Sequence, residues 1–176
     1  MATAAQIPVS EYLQTTYRPD REYIDGELRE RNVGKWDHAR IQALLAAWFV
    51  NHESEWNIVS STEQRTQITP SRIRIPDLVV LRPGSEQSIL TAPPLLVVEI
   101  LSPDDTYSDL QERSEDYRRM GVETIWIIDP TTRSGRMGTA AGWVAADRLE
   151  VASTPIHVDL PSLFARFHSQ AGPVQS

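Results

Sequence analysis

Leu95-Leu96-Val97-Val98-Glu99-Ile100-Leu101 is a near-continuous apolar run with one carboxylate inside it. Apolar residues at successive positions predict a strand buried on both faces, the kind that helices cover from two sides. An ionised carboxylate in such a strand is costly unless it is paired, protonated or bound to a cation. The run Ile73-Arg74-Ile75-Pro76-Asp77-Leu78-Val79-Val80-Leu81 repeats the situation with Asp77. The pattern predicts strands over 73–81 and 95–101, separated by the breakers Pro83-Gly84 and Pro93-Pro94. Two inward carboxylates on adjacent strands repel and raise one pKa, unless a divalent ion sits between them. Hard oxygen donors of this kind suit Mg²⁺ or Mn²⁺. The structural alternative leaves Asp77 capping a bulge after Pro76 and Glu99 paired with an arginine.

Around these runs the chain alternates helix and strand signals. Ser10 reads as the N-cap of a short helix from Glu11. Asp25-Gly26, between two short runs, predicts a hairpin. From Asp37 to about Glu53, Ile41, Leu44, Leu45, Trp48 and Phe49 recur at spacings of three and four, an amphipathic helix with Asp37 as its cap. A strand is expected from Asn57 to about Gln67. A second helix is expected from Asp104 to Met120, capped by Asp104 or Asp105 and ended by Gly121. Val122 to Asp129 is another apolar strand closed by Pro130, and a later strand is expected over 142–146. The order predicts an α/β (α+β) fold, a mixed central sheet flanked by helices with an N-terminal hairpin. Residues 1–176 are expected to form one domain, frayed at 1–9 and 170–176.

Bulk properties narrow the function. The chain has no cysteine, so disulfide frameworks and thiolate metal sites are excluded. The opening residues lack the basic start and apolar core of a signal peptide and no apolar run reaches bilayer length, so a cytoplasmic protein without membrane association is expected. The net charge of −7 argues against a broadly basic nucleic-acid binder. It leaves room for a carboxylate site whose metal restores local positive charge. Lys35 is the only lysine, so arginine supplies nearly all the cations. Arg72, Arg74, Arg118 and Arg119 are candidates for phosphate contacts, with a solvated face as the default. His38 and His52 lie about 21 Å apart along one helix by its rise per residue, which excludes a shared zinc. No Gly-rich phosphate loop is present, and no serine or cysteine is placed as a triad nucleophile.

Pro76-Asp77, followed some twenty residues later by Val97-Val98-Glu99-Ile100-Leu101-Ser102-Pro103, resembles the PD-(D/E)XK nuclease superfamily. More narrowly it is similar to the bacterial Uma-type restriction endonuclease family. Tyr23-Ile24-Asp25-Gly26-Glu27, His38 with Ile41 and Leu45, Tyr117, Gly121-Val122 and Ile125-Trp126-Ile127-Ile128-Asp129-Pro130 match that family in order, over about residues 10–150. The resemblance implies a restriction-endonuclease-like core with its acids at one sheet edge. It also implies Mg²⁺-dependent hydrolysis of a nucleic-acid phosphodiester, DNA being the expected substrate. Asp77 and Glu99 would ligate the metal, and Glu27 would be a third acid of the site.

The motif departs from the superfamily at one point. Its lysine, two residues after the glutamate, is replaced by Leu101. The family resembled here commonly carries that lysine on the following helix, and this chain has Asp109-Leu110-Gln111-Glu112-Arg113 ahead of Tyr117. Leu110, Arg113, Ser114 and Tyr117 share one helical face, which would aim Arg113 at Glu99. Arginine stabilises phosphate charge but is a poor proton carrier. Two readings follow: catalysis with arginine in the lysine's place, or a silent nuclease fold that binds nucleic acid or a partner protein. A purely structural oligomer would leave Asp77 and Glu99 without a reason. His38 is expected to be structural or phosphate-facing, with substrate positioning as its catalytic alternative; Tyr117 is expected in the core or the site wall. A homodimer is expected because cutting two strands needs two sites.

Overall fold

The computed structural model describes residues 6–31 and 35–167. The doubly apolar runs become the centre of a six-stranded sheet. Strands β6 (Leu78–Leu81), β7 (Leu96–Ile100) and β8 (Ile125–Asp129) are its middle, with β3 (Val59–Thr62) on one edge and β9 (Ser134–Thr139) and β10 (Gly142–Ala145) on the other. Every pairing is antiparallel except β7 with β8. That parallel step needs a crossover, and helix α3 (Tyr107–Met120) supplies it.

Residues of the middle strands divide by parity between two apolar layers. Leu78, Val80, Leu96, Val98, Ile100 and Trp126 pack with Ile41, Leu45 and Phe49 of helix α2 (Trp36–Trp56). Val79, Leu81, Val97 and Ile125 pack with Tyr117 of α3 and with Val122. A strand covered on both sides needs apolar residues at every position, which is why the runs show no alternation. Helix α2 is buried at His38, Ile41, Leu44, Leu45, Phe49 and Trp56, the face expected from the spacing.

A second, four-stranded antiparallel sheet runs in the order β2 (Glu27–Glu30), β1 (Arg21–Ile24), β5 (Arg72–Arg74), β4 (Thr66–Thr69). Asp25 and Gly26 both take positive φ, 52° and 98°, as a tight hairpin turn requires. Two expected strands are each split between the sheets. Residues 57–67 break at Glu63, which has φ 52°, and 73–81 break at Pro76-Asp77, where proline has no N–H for a ladder. The two breaks touch: the Glu63 amide donates to the Asp77 carbonyl at 3.3 Å. Asp77 therefore lies on the seam between the sheets.

The remaining corrections concern caps and short elements. Helix α1 spans Val9–Gln14, with Pro8 rather than Ser10 at its cap, and the Ile7 amide donates to the Gly26 carbonyl at 3.1 Å. Lys35 precedes α2, leaving Asp37 inside its first turn. Thr106 caps α3 in a reciprocal box with Asp109, while Asp105 instead accepts from the Ser102 amide. Gly121 ends α3 at φ 102° as expected. Strand β9, the pair β11 (Arg148–Glu150) with β12 (His157–Asp159), and helix α4 (Leu160–Ala165) follow in a region where only 142–146 was expected as a strand. The expected fraying at 1–5 and 170–176 falls outside the described residues.

Candidate active site

Register brings the two acids together. Leu78 pairs with Val98, so Asp77 follows opposite Glu99 at the end of the ladder. Both are buried, each 3% exposed. Asp77 Oδ2 accepts from the Ile100 amide at 2.7 Å and faces His38 Nε2 at 3.2 Å; Oδ1 takes Arg31 Nη2 at 2.8 Å. Gln42, one turn along α2 from His38, donates to the Asp77 carbonyl at 3.0 Å. The first turns of α2 thus fix the acid's backbone and side chain together.

Glu99 faces α3. Tyr117 donates its hydroxyl to Glu99 Oε1 at 2.5 Å, and Arg113 Nη1 stands 3.6 Å from Oε2. Arg113 is held in turn by Asp105 at 2.9 Å, and its buried Nε has no hydrogen-bond partner. Burial pushes the Glu99 carboxyl up to about 7, against the pull of Arg113 and with the push of Asp77. Burial also raises the Tyr117 hydroxyl well above its ordinary value, reinforced by the Glu99 charge. Burial works against a charged His38, but the hydrogen bond and charge of Asp77 outweigh it and raise its pKa. The Arg113 guanidinium is buried too, and Glu99 and Asp105 hold it charged.

The structure gathers Asp77, Glu99, Arg113, His38 and Tyr117 in one place. Glu27 is not among them: it is exposed beside the hairpin turn, opposite Ile24. Glu22, on the partner strand of the same hairpin, is the buried acid on this side. It accepts from the Ile75 amide at 3.1 Å and from Arg74 at 2.7 Å. A polar cleft of about 170 Å³ is walled by Glu22, Arg31, Asp105 and Arg113. Sequence reasoning missed Glu22 and Arg31. Glu22 carried the signal that exposed Glu99, an acid beside buried apolar residues in a strand. Arg31 carried none, since its position depends on where the hairpin docks. Arg72 and Arg74, read as phosphate candidates, are bound instead to Asp116 of α3, and Arg74 also to Glu22.

The donor set suits a small hard cation only in part. Among the described residues no group of three or more His, Cys, Asp or Glu side chains is placed to hold an ion. Two carboxylates remain, and Mg²⁺ is commonly held by one or two carboxylates with water and substrate phosphate completing its shell. Asp77 and Glu99 fit that arrangement, provided Arg31 yields its place on Asp77 Oδ1.

Comparison with known proteins bears on the fold and the family. A crystal structure from Anabaena variabilis ATCC 29413, described as "a putative nuclease belonging to DUF820", matches 92% of this chain and 99% of its own. The TM-score is 0.80 at 21% identity, which establishes a shared fold. A cryo-EM structure of a DrdV–DNA complex matches 80% of this chain and 12% of its own, with TM-score 0.46 and 12% identity. No curated protein matches the chain. The fold is the restriction-endonuclease-like one, a mixed sheet between helices. The profile of the Uma2 family, described as "Putative restriction endonuclease", matches residues 9–157, and the chain belongs to that family.

Proposed function

We propose that the protein is a Mg²⁺- or Mn²⁺-dependent endonuclease that hydrolyses phosphodiester bonds of DNA. The observation that carries the reading is the buried Asp77–Glu99 pair at the end of the β6–β7 ladder, faced by the Arg113 guanidinium. Asp77 and Glu99 would hold the ion, which when bound supplies Lewis-acid polarisation of the phosphate and an activated water. The chain's own residues supply orientation and charge. The Ile100 amide and His38 fix Asp77 Oδ2, and the Tyr117 hydroxyl fixes Glu99 Oε1. Arg113, held by Asp105, offers a fixed positive charge to the phosphate oxygens in the place of the superfamily's lysine.

A second reading is favoured by one observation. Arg31 and Arg113 already lie against Asp77 and Glu99, so the acids are neutralised by protein cations. A chain that keeps these pairs would bind nucleic acid or a partner protein without cutting.

Plasmid cleavage with Mg²⁺ or Mn²⁺ separates the two readings. We expect nicking or linearisation by the wild type, loss in Asp77→Asn, and retained or greater cleavage in Arg113→Lys. Cleavage by Arg113→Lys alone would mean an intact site silenced by its arginine. If no variant cuts and calorimetry finds no divalent-ion binding, catalysis is excluded and the binding reading stands.

A further inference from the structure

The acid Glu99 belongs to a cross-strand row. Glu99 pairs with Ile127, and Ile127 with Arg136, so the row crosses β7, β8 and β9 on one sheet face. Arg136 therefore lies two strands from the site acid, about 10 Å by the strand spacing. Between this part of the sheet and α3 lies a gap. Two adjoining cavities occupy the gap, of about 480 and 300 Å³, and share Tyr107, Leu110, Ile127 and Arg136. The first begins at Leu101 and Asp105, next to Glu99 and Arg113; the second ends at Arg118 and Trp143.

The lining is unusual for a solvated groove. Tyr107 is 80% exposed and Trp143 41% exposed, both large aromatic surfaces facing water. The Trp143 ring lies against β9: a Cβ at Gly138 would sit 2.7 Å from it, so glycine is what lets the ring approach. The Arg118 guanidinium lies over that ring, 5.5 Å from its centroid. Arg136 is exposed and enters no ion pair among the described residues. Each acid on the rim has a local partner, Asp105 in Arg113. Asp129 accepts from the Thr131 and Thr132 amides, and Glu115 from Gln111.

We propose that this groove binds a single-stranded segment of nucleic acid running out of the catalytic cleft, with a base stacked on Tyr107, a second against the exposed part of Trp143 and a phosphate on Arg136. Exposed aromatic faces interleaved with arginine are the chemistry that holds unpaired bases and their backbone without reading sequence. A duplex presents no free base faces to such a platform. The proposal rests on the nuclease reading for the kind of ligand, but its test does not require cleavage.

The test is anisotropy of labelled oligonucleotides titrated with the full chain in chelator, using single-stranded DNA, single-stranded RNA and duplex DNA. We expect a single strand, of either sugar, to bind more tightly than the duplex. Tyr107→Ala should weaken single-strand binding roughly fivefold or more, and Tyr107→Phe should restore it. Arg136→Ala should lower the slope of log affinity against log salt by about 0.7, the loss of one phosphate contact to a single strand. Both residues are exposed, so unchanged melting temperatures are expected and should be verified. Wild-type affinity in Tyr107→Ala and Arg136→Ala, or no preference for single strands, overturns the proposal. The two readings fail separately: cleavage without single-strand binding removes the groove, whereas groove-dependent binding without cleavage removes the nuclease.

Discussion

At the residue scale the site is an electrostatic compromise. Glu99 holds its proton more tightly in the folded chain, with a pKa of about 7, than the ordinary 4.5. The metal-free folded state therefore binds more protons than the unfolded state between those values, and stability falls as pH rises through that window. A raised His38 acts in the same direction, its contribution present below its ordinary 6.5 and lost as pH rises through the higher folded value. In chelator, the unfolding free energy from urea titrations should decline from pH 4.5 to 7, by on the order of a few kcal/mol in total, and Glu99→Gln should flatten the decline. A wild-type profile that rises over this window would refute the account. Arg113→Ala should cost about a hundredfold or more in cleavage rate, as losing one preorganised charge donor does; single-turnover kinetics would show it. Asp77 and Glu99 were legible in the sequence because a charge in an apolar run is an energetic anomaly that needs no alignment to notice. Glu27 and Glu22 show the limit of that logic. The motif around the hairpin was legible, but which of its acids turns inward depends on the docking of β1 against β5, a contact between residues some fifty positions apart.

At the element scale, α3 does two jobs. Its Arg113 and Tyr117 face Glu99, while Asp116, 1% exposed, receives Arg72 and Arg74 from β5 and Arg119 from its own helix. Removing Asp116 leaves the buried Arg74 guanidinium with less compensation. We expect Asp116→Ala to destabilise the protein by about 3–5 kcal/mol, measured by denaturant unfolding. Thr106→Ala, which breaks the capping box, should cost about 1 kcal/mol. A loss for Asp116→Ala no larger than for Thr106→Ala would show that the network contributes little. The long helices and doubly covered strands were legible because their periodicity is set by burial against the core. The splitting of 57–67 and 73–81 was not, because a chain that switches sheets keeps its strand-like composition throughout. The Gly-containing β9, Ser134–Thr139, carries no alternation to read.

At the scale of the whole molecule, the expected symmetric dimer is a proposal that light scattering can decide: twice the mass of the chain supports it, a monomer across working concentrations removes it. No helix among the described residues is long and apolar enough to cross a membrane. The seam where Glu63 bonds Asp77 has a consequence for how the molecule opens. Segments unfold locally in cooperative units, and the four-stranded sheet is joined to the six-stranded one through this crossing and the Asp116 arginines. An ion held at Asp77 would sit where the two units meet and fasten one to the other. Native-state hydrogen exchange should then slow on adding Mg²⁺ not only in β6 and β7 but also in β1 and β5, which contain no proposed metal ligand. Protection confined to β6 and β7 would mean that the units breathe independently. Protection that spreads to both would make the ion a clasp for the fold as well as the centre of its chemistry.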